Sequence, residues 1–418
     1  MRTIFGVNPQ VIALALARMS ESVGNSFLIV VLPLFIASDF VSGATFGLTE
    51  VAITGIVLSL FGFVNSPLQP VTGRLSDRTG RRKIFVLLGL VILAGASFAY
   101  TLATSYWHLI SLRVLQGIAG AFIIPTTVAL VNDLAGEDNR GGNMGTYNTF
   151  RLVGFGVGPV AAGGVVAAGP YSVASVTLTG FDAAFAFAGL TATLSFLLVV
   201  ALIRDPDIEP ADPDDRSGGI AVFDTTGDKF LDPVFTLGVV SFFMAVGIAL
   251  FATLGEIVNT RLDQGPEMFG LQFAAFILAQ VFLQAPIGRA TDFYGRKRFI
   301  ALGMALLVPT TLAQGFILDS WLMFFARFAQ GIAGAMVFAP ALALAGDIAT
   351  EGSSGTTLSV LTMAFGFGVA FGPLLSGFLV SIDFVAPFAF GAVLAALGFA
   401  LVVTQVEEVR TPGGSGDR

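Results

Sequence analysis

Cysteine is absent, histidine occurs once as His108, and lysine three times, as Lys83, Lys229 and Lys297. Without cysteine there is no disulfide, no thiolate nucleophile and no thiolate metal site. A single histidine gives an imidazole metal cluster or a Ser-His-Asp triad little to build on. Charge of either sign is scarce: Asp, Glu, Lys and Arg make up 12% of the chain, against about 25% in a soluble domain. The net charge is −7, and no basic face of the kind that tracks nucleic-acid phosphates is present. No metal, cofactor or nucleic-acid partner is therefore expected. HExxH and GxSxG are also missing, so an enzyme is not expected.

What remains is apolar. Hydrophobic residues are 55% of the 418 and mean hydropathy is +0.85. They fall in blocks long enough for a membrane helix, which needs about 20 residues. Twelve spans are expected, at 10–37, 48–72, 84–104, 108–133, 143–169, 181–203, 233–258, 267–288, 299–318, 321–346, 356–380 and 384–405. The first is too long for a signal-peptide core. The chain thus divides into an N-terminal bundle (1–203), an acidic linker rich in Asp and Pro (204–232), a C-terminal bundle (233–405) and a Gly-rich tail (406–418). Arg and Lys outside the spans lie almost all on the side of the termini and linker, and only Arg261 lies on the other. That bias predicts cytoplasmic termini in an inner or plasma membrane.

The chain repeats itself. GRLSDRTGRRK at 73–83 returns as GRATDFYGRKR at 288–298, and RVLQGIAGA at 113–121 as RFAQGIAGA at 327–335. Asp133 returns as Asp347, and Gly158-Pro159 as Gly372-Pro373, each 214 or 215 residues on. Two six-helix units in the same orientation imply a pseudo-two-fold axis along the membrane normal, an arrangement transporters use to rock two bundles about a midplane site. Before span 2 the register of the repeat is lost.

These motifs resemble the major facilitator superfamily over essentially the whole chain. Gly73-x-x-x-Asp77-Arg78-x-Gly80-Arg81-Arg82 resembles the loop motif between its second and third helices. Arg113-x-x-Gln116-Gly117 resembles its helix 4 motif. Gly145, Gly154, Gly158-Pro159 and Ala162-Gly163 in span 5 are similar to the motif of its drug:proton antiporters, with Ala162 standing for one glycine. Glu21-x-x-Gly24 and Leu32-Pro33 resemble the antiporter helix 1 pattern, with Glu for Asp and Val30 for a proline. The resemblance implies an all-α fold of twelve transmembrane helices in two pseudo-symmetric six-helix bundles.

Candidate roles follow. Ionisable groups inside a membrane are costly and face a cavity or a partner. Glu21, with Arg18 one turn away and Arg151 at similar depth, is the expected proton-coupling centre, Glu21 pairing with either arginine. The resemblance adds Arg113, in proton transfer or in holding span 1. Asn25, Phe27, Gln116, Asn148, Gln330 and Phe365 are candidates for the substrate cavity. For gating, Gly73 and Gly288 permit close backbone approach, and Arg78 and the other basic residues fix topology. Asp77 suits the positive end of a helix of the other half. The resemblance implies span 11 near 353–356, and the repeat sets Asp292 against the start of span 5. Arg81 and Arg296 are expected to reach Asp133 and Asp347. Gly145, Gly154, Gly158, Pro159 and Gly163 form a candidate hinge. Trp107 and His108 suit the membrane interface.

The expectation is a secondary transporter, a functional monomer in the bilayer. It would exchange a small organic solute or drug for protons by alternating access, with sodium open as coupling ion. A sugar or organic-anion uniporter or symporter of the same fold is the alternative. A non-transporting sensor or scaffold is the rival of another class, and it would call for an appended soluble domain or a long signalling tail.

Overall fold

The computed structural model describes residues 7–134, 140–173, 176–205, 229–348 and 354–408. Most of the linker and the end of the tail lie outside these. The elements are α1 (Pro9–Ile36), α2 (Glu50–Thr79), α3 (Arg82–Ala99), α4 (Tyr106–Leu134), α5 (Arg140–Ala168), β1 (Tyr171–Val173), β2 (Val176–Leu178), α6 (Gly180–Leu202), α7 (Pro233–Ala249), α8 (Gly255–Arg261), α9 (Pro266–Tyr294), α10 (Arg296–Gln314), α11 (Ser320–Ile348), α12 (Ser354–Leu379) and α13 (Ala386–Gln405). Short 3-10 turns extend α3 and join α7 to α8. Counting α7 with α8 as one crossing gives twelve. Eleven are long and apolar enough to span a membrane. The twelfth, α10, opens on Arg296, Lys297 and Arg298.

Caps set several helix starts. Asn8 accepts from the Gln10 amide with Pro9 at the first helical position, Thr49 accepts from Ala52, and Asp232 accepts from Val234 and Phe235. Thr179 and Asp182 close a reciprocal capping box on α6. α2 stops at Gly80, whose φ of 63° places it in the left-handed region. Both α2 and α9 run six or seven residues past the expected span ends. The charged SDRT segment, out of the apolar core, remains helical, and Asp77 thus lies on a last helical turn. The β1–β2 hairpin between α5 and α6 was not anticipated; its pairs are Tyr171 with Leu178, Ser172 with Thr177 and Val173 with Val176.

The repeat is realised in three dimensions. α2 packs on α12 and α5 on α9, and these two seams join the halves. Gly55 faces the Pro373 carbonyl while Gly270 faces that of Pro159. Gly377 faces Val51 and Ala52 while Gly163 faces Pro266 and Glu267. These are the same contacts exchanged by two-fold rotation. α1 and α7 also correspond: Gly154 and Gly158 of α5 meet Met19 and Val23, and Gly368 and Gly372 of α12 meet Phe242 and Val246. The offset there is 223 residues, which is why the sequence register fails before α2.

The core divides unequally. At the face remote from the termini, one apolar cluster takes Phe27, Ile36 and Val57 from the first half together with Phe251, Phe269 and Phe388 from the second. At the face of the termini there are two: one from Val11, Leu90, Val131 and Val199, the other from Val234, Met304, Leu344 and Val402. Among the described residues the halves are therefore sealed together at the remote face and separate towards the termini. Val71 on α2 and Phe282 on α9, beyond the ends of the seams, are 59% and 67% exposed.

Candidate functional site

α1 is almost wholly buried, because α5 and α6 flank it in its own half and the α7–α8 turn touches it from the other. On this helix Arg18 Nη1 donates to Glu21 Oε2 at 2.5 Å, with both side chains buried. The arginine that pairs with Glu21 is thus Arg18. Arg151 makes no ion pair with Glu21; its Nε and Nη2 donate to Asn148 Oδ1 at 3.0 and 2.9 Å.

Four faces of α5 explain where Arg151 points. Gly154 and Gly158 lie against α1, and Gly156 and Gly163 against α9. Val153 and Val157 are exposed, as lipid-facing residues should be. At 100° per residue, Asn148 and Phe155 fall on the remaining face, turned to the space between the halves, and Arg151 stands at its border with the α1 face, its guanidinium drawn to Asn148. Phe155 reaches Phe273 of α9, ring centroids 6.4 Å apart. Tyr147 holds α5 to α4 through a 2.6 Å hydroxyl contact with Thr127. Asn25 is half-buried on α1, one turn beyond Glu21, and Phe365 is half-buried on α12 with its ring 4.5 Å from Phe338.

Three expected cavity residues lie elsewhere. Gln116 and Gln330 are shut off from solvent within their own halves. Each carbonyl accepts from an arginine, Arg113 at 3.0 Å and Arg327, and each amide donates across to the neighbouring helix, to Ser97 and Thr311. A glutamine satisfied on both ends by its helix neighbours has no reason to face an aqueous space. Phe27 is fully buried against Phe187 of α6 at 5.1 Å. Arg113 stacks 5.7 Å from Phe61 of α2 and makes no bond to α1. Arg327 lies 4.5 Å from Phe251 and 5.1 Å from Phe276.

At the termini face the acid–base contacts differ by one residue from expectation. Arg82, not Arg81, binds Asp133, and it also binds Asp77 at 2.5 Å. Arg296 binds Asp347 as expected. The first turn has two residues between helices, Gly80 and Arg81, and the second only Gly295. Arg81 is the additional residue, so Arg82 corresponds to Arg296, and the repeat spacing drops from 215 to 214 at this point. Arg78 and Arg81 are exposed. The Asp292 side chain and residue 353 lie outside the described parts.

Sequence reasoning missed Asp205 and Glu408. Asp205 accepts from the Lys83 amide, and Glu408 from those of Arg296 and Lys297, each at the positive start of α3 or α10. Lys83 and Lys297 return ammonium bonds to the last carbonyls of α6 and α13. The available signal was an acid shortly after the last apolar span of each half. Of the glycines assigned to close packing, Gly154, Gly158 and Gly163 are closely packed. Gly73, Gly145 and Gly288 are not: an added methyl would meet only an ordinary contact at Gly73, 3.8 Å from Pro125, and open space at the other two. All three lie where the halves have separated. Trp107 and Trp321 are both 59% exposed at corresponding places near the remote face. Among the described residues no group of His, Asp or Glu is arranged to hold a metal.

Two six-helix bundles related by a two-fold axis, meeting at one face and apart at the other, with buried charge inside each bundle, define a membrane transporter fold. The Major Facilitator Superfamily family model matches residues 14–265 and 237–417, and the chain belongs to that family. It is a multi-pass membrane transporter of small molecules, in a family of transporters and not of enzymes. A multi-drug resistance efflux pump PmrA homolog of Lactococcus lactis is 25% identical over 362 residues, 84% of each chain. The quinolone resistance protein NorA of Staphylococcus aureus is 22% identical over 405 residues, 96% of this chain and 97% of NorA. Among solved structures, a bacterial homolog of the human lysosomal transporter Spinster, inward-facing and occupied, superposes with a TM-score of 0.76 at 16% identity, covering 94% of this chain and 95% of the other.

Proposed function

We propose that the protein exports a small organic solute in exchange for protons, by alternating access of residues 1–203 and 233–405. The single observation that carries this reading is Glu21. It is the one carboxylate in the middle of any span, bound to Arg18, one helix away from Arg151 at the border of the cleft face. An acid so placed can hold a proton in one state and an arginine in the other. The drug-efflux names of the relatives support the direction of transport.

The positive-inside bias assigns the termini face to the cytoplasm, so the conformation described is open inward, like that of the Spinster homolog. In the outward-open state Gly73, Gly145 and Gly288 would enter close packing, and Asp77 would turn to the start of α12. The experiment is solute flux in proteoliposomes under imposed pH and sodium gradients. Glu21→Gln is expected to abolish the proton-driven component. Flux of the variant that keeps its full pH dependence would remove Glu21 from coupling, and flux driven by sodium alone would replace the ion.

A further inference from the structure

We infer that the exported solute is an anion, an amphiphile carrying one carboxylate or sulfonate on an apolar body, with its acid group seated on Arg151. The inference deepens the export reading above and rests on it. Inside the spans the chain holds four arginines, Arg18, Arg113, Arg151 and Arg327, against one acid near mid-depth, Glu21, and of the four Arg18 and Arg151 share its depth. The acid is already bonded to Arg18. A cation entering the cleft meets an uncompensated positive field in a low-dielectric surround, and an anion meets an attractive one.

Arg151 is placed to receive that anion. Its side chain is half-buried at the border of the cleft face of α5, and among the described residues its one hydrogen-bond partner is the neutral Asn148 amide, which takes Nε and Nη2. Among the described residues the Nη1 donors have no hydrogen-bond partner, and a guanidinium with donors to spare is suited to an oxyanion.

The two-fold relation adds an orientation. The position matching Arg151 in the second half is Phe365, and that matching Glu21 is Met244. Charge stands on one side of the cleft, and Phe365 with Phe338, rings 4.5 Å apart, on the other. A solute with one acidic end and one apolar end matches this division.

The test uses three probes of one shape: 2-naphthoate, 2-naphthylmethanol and 2-naphthylmethylammonium. Equilibrium dialysis against the full-length protein in detergent measures binding without any gradient, so its outcome is separate from that of proton coupling. 2-Naphthoate is expected to bind at least tenfold more tightly than the ammonium probe. Arg151→Gln should reduce it to the level of the alcohol, and Arg151→Lys should keep part of the preference, with unchanged melting temperatures showing that both variants fold. Equal or tighter binding of the ammonium probe, an anion preference that survives Arg151→Gln in folded protein, or no binding of any probe at millimolar concentration would each overturn the inference.

Discussion

The remote-face seam offers the sharpest perturbation. A methyl group added at Gly55 would lie 2.5 Å from the Pro373 carbonyl oxygen, and one at Gly270 would press on the matching Pro159 carbonyl. Both obstacles are backbone, which cannot rotate away as a side-chain end would. Overpacking of this kind costs about 1–3 kcal/mol per site. The cost falls on the conformation sealed at the remote face, because the seam is apart in the other. Two symmetry-related sites more than about 10 Å apart add nearly independently. Gly55→Ala with Gly270→Ala should therefore favour the remote-open state by about 2–6 kcal/mol, a shift of roughly 30-fold to 10⁴-fold at 1.4 kcal/mol per tenfold. The cysteine-free chain allows spin labels at chosen sites without background. Labels at Phe46 and Ile382, which are 79% and 78% exposed in remote-face loops of opposite halves, report that face. Labels at Leu75 and Phe293 report the rim of the cleft. Pulsed electron-electron resonance should show the first distance lengthening and the second shortening in the double variant. A folded double variant with both distributions unchanged would refute the argument that these glycines hold the remote-face seam together.

Other consequences are simpler. Arg82→Ala removes the partner of both Asp77 and Asp133 from a mostly buried position, and should lower the melting temperature in detergent measurably. Arg81→Ala, at an exposed turn residue, should change stability by no more than about 0.5 kcal/mol. A proton entering as a monoanion leaves moves two charges in one sense, so an interior-negative potential of 100 mV should favour export by about 4.6 kcal/mol, at 2.3 per charge. Collapsing the potential with valinomycin and potassium at constant pH gradient should slow flux of 2-naphthoate and leave that of a singly positive probe, whose exchange is electroneutral, unchanged.

The fold was largely legible because a bilayer imposes length and apolarity together, and every span was found within a few residues except where α2 and α9 continue as charged helix beyond the core. Sequence alignment of the two loops gives Arg81 the place that Arg82 holds, because it hides a one-residue difference that only the helix ends reveal. Gln116 and Gln330 look like cavity residues in the sequence because polarity inside a membrane suggests water. Their needs are met instead by an arginine one turn away and a hydroxyl on the next helix, a distinction of direction that composition does not carry. Glu21, Arg18 and Arg151 stand out in the sequence by their shared depth, whereas Asn148 stands out only as a polar residue within a span. Which arginine takes Glu21 depended on the roll of α5, set by its glycines against α1 and α9.

The seam between α5 and α9 gives the most direct test of alternation. Leu152 packs in one cluster with Phe276 and Ile277 in the conformation described, and two further turns along each antiparallel helix bring Gly145 opposite Gln284 once the cleft closes. A protein with Gly145→Cys and Gln284→Cys should form a disulfide slowly as it cycles, carry no solute once oxidised, and recover full flux on reduction. Undiminished flux through quantitatively oxidised protein would contradict the account.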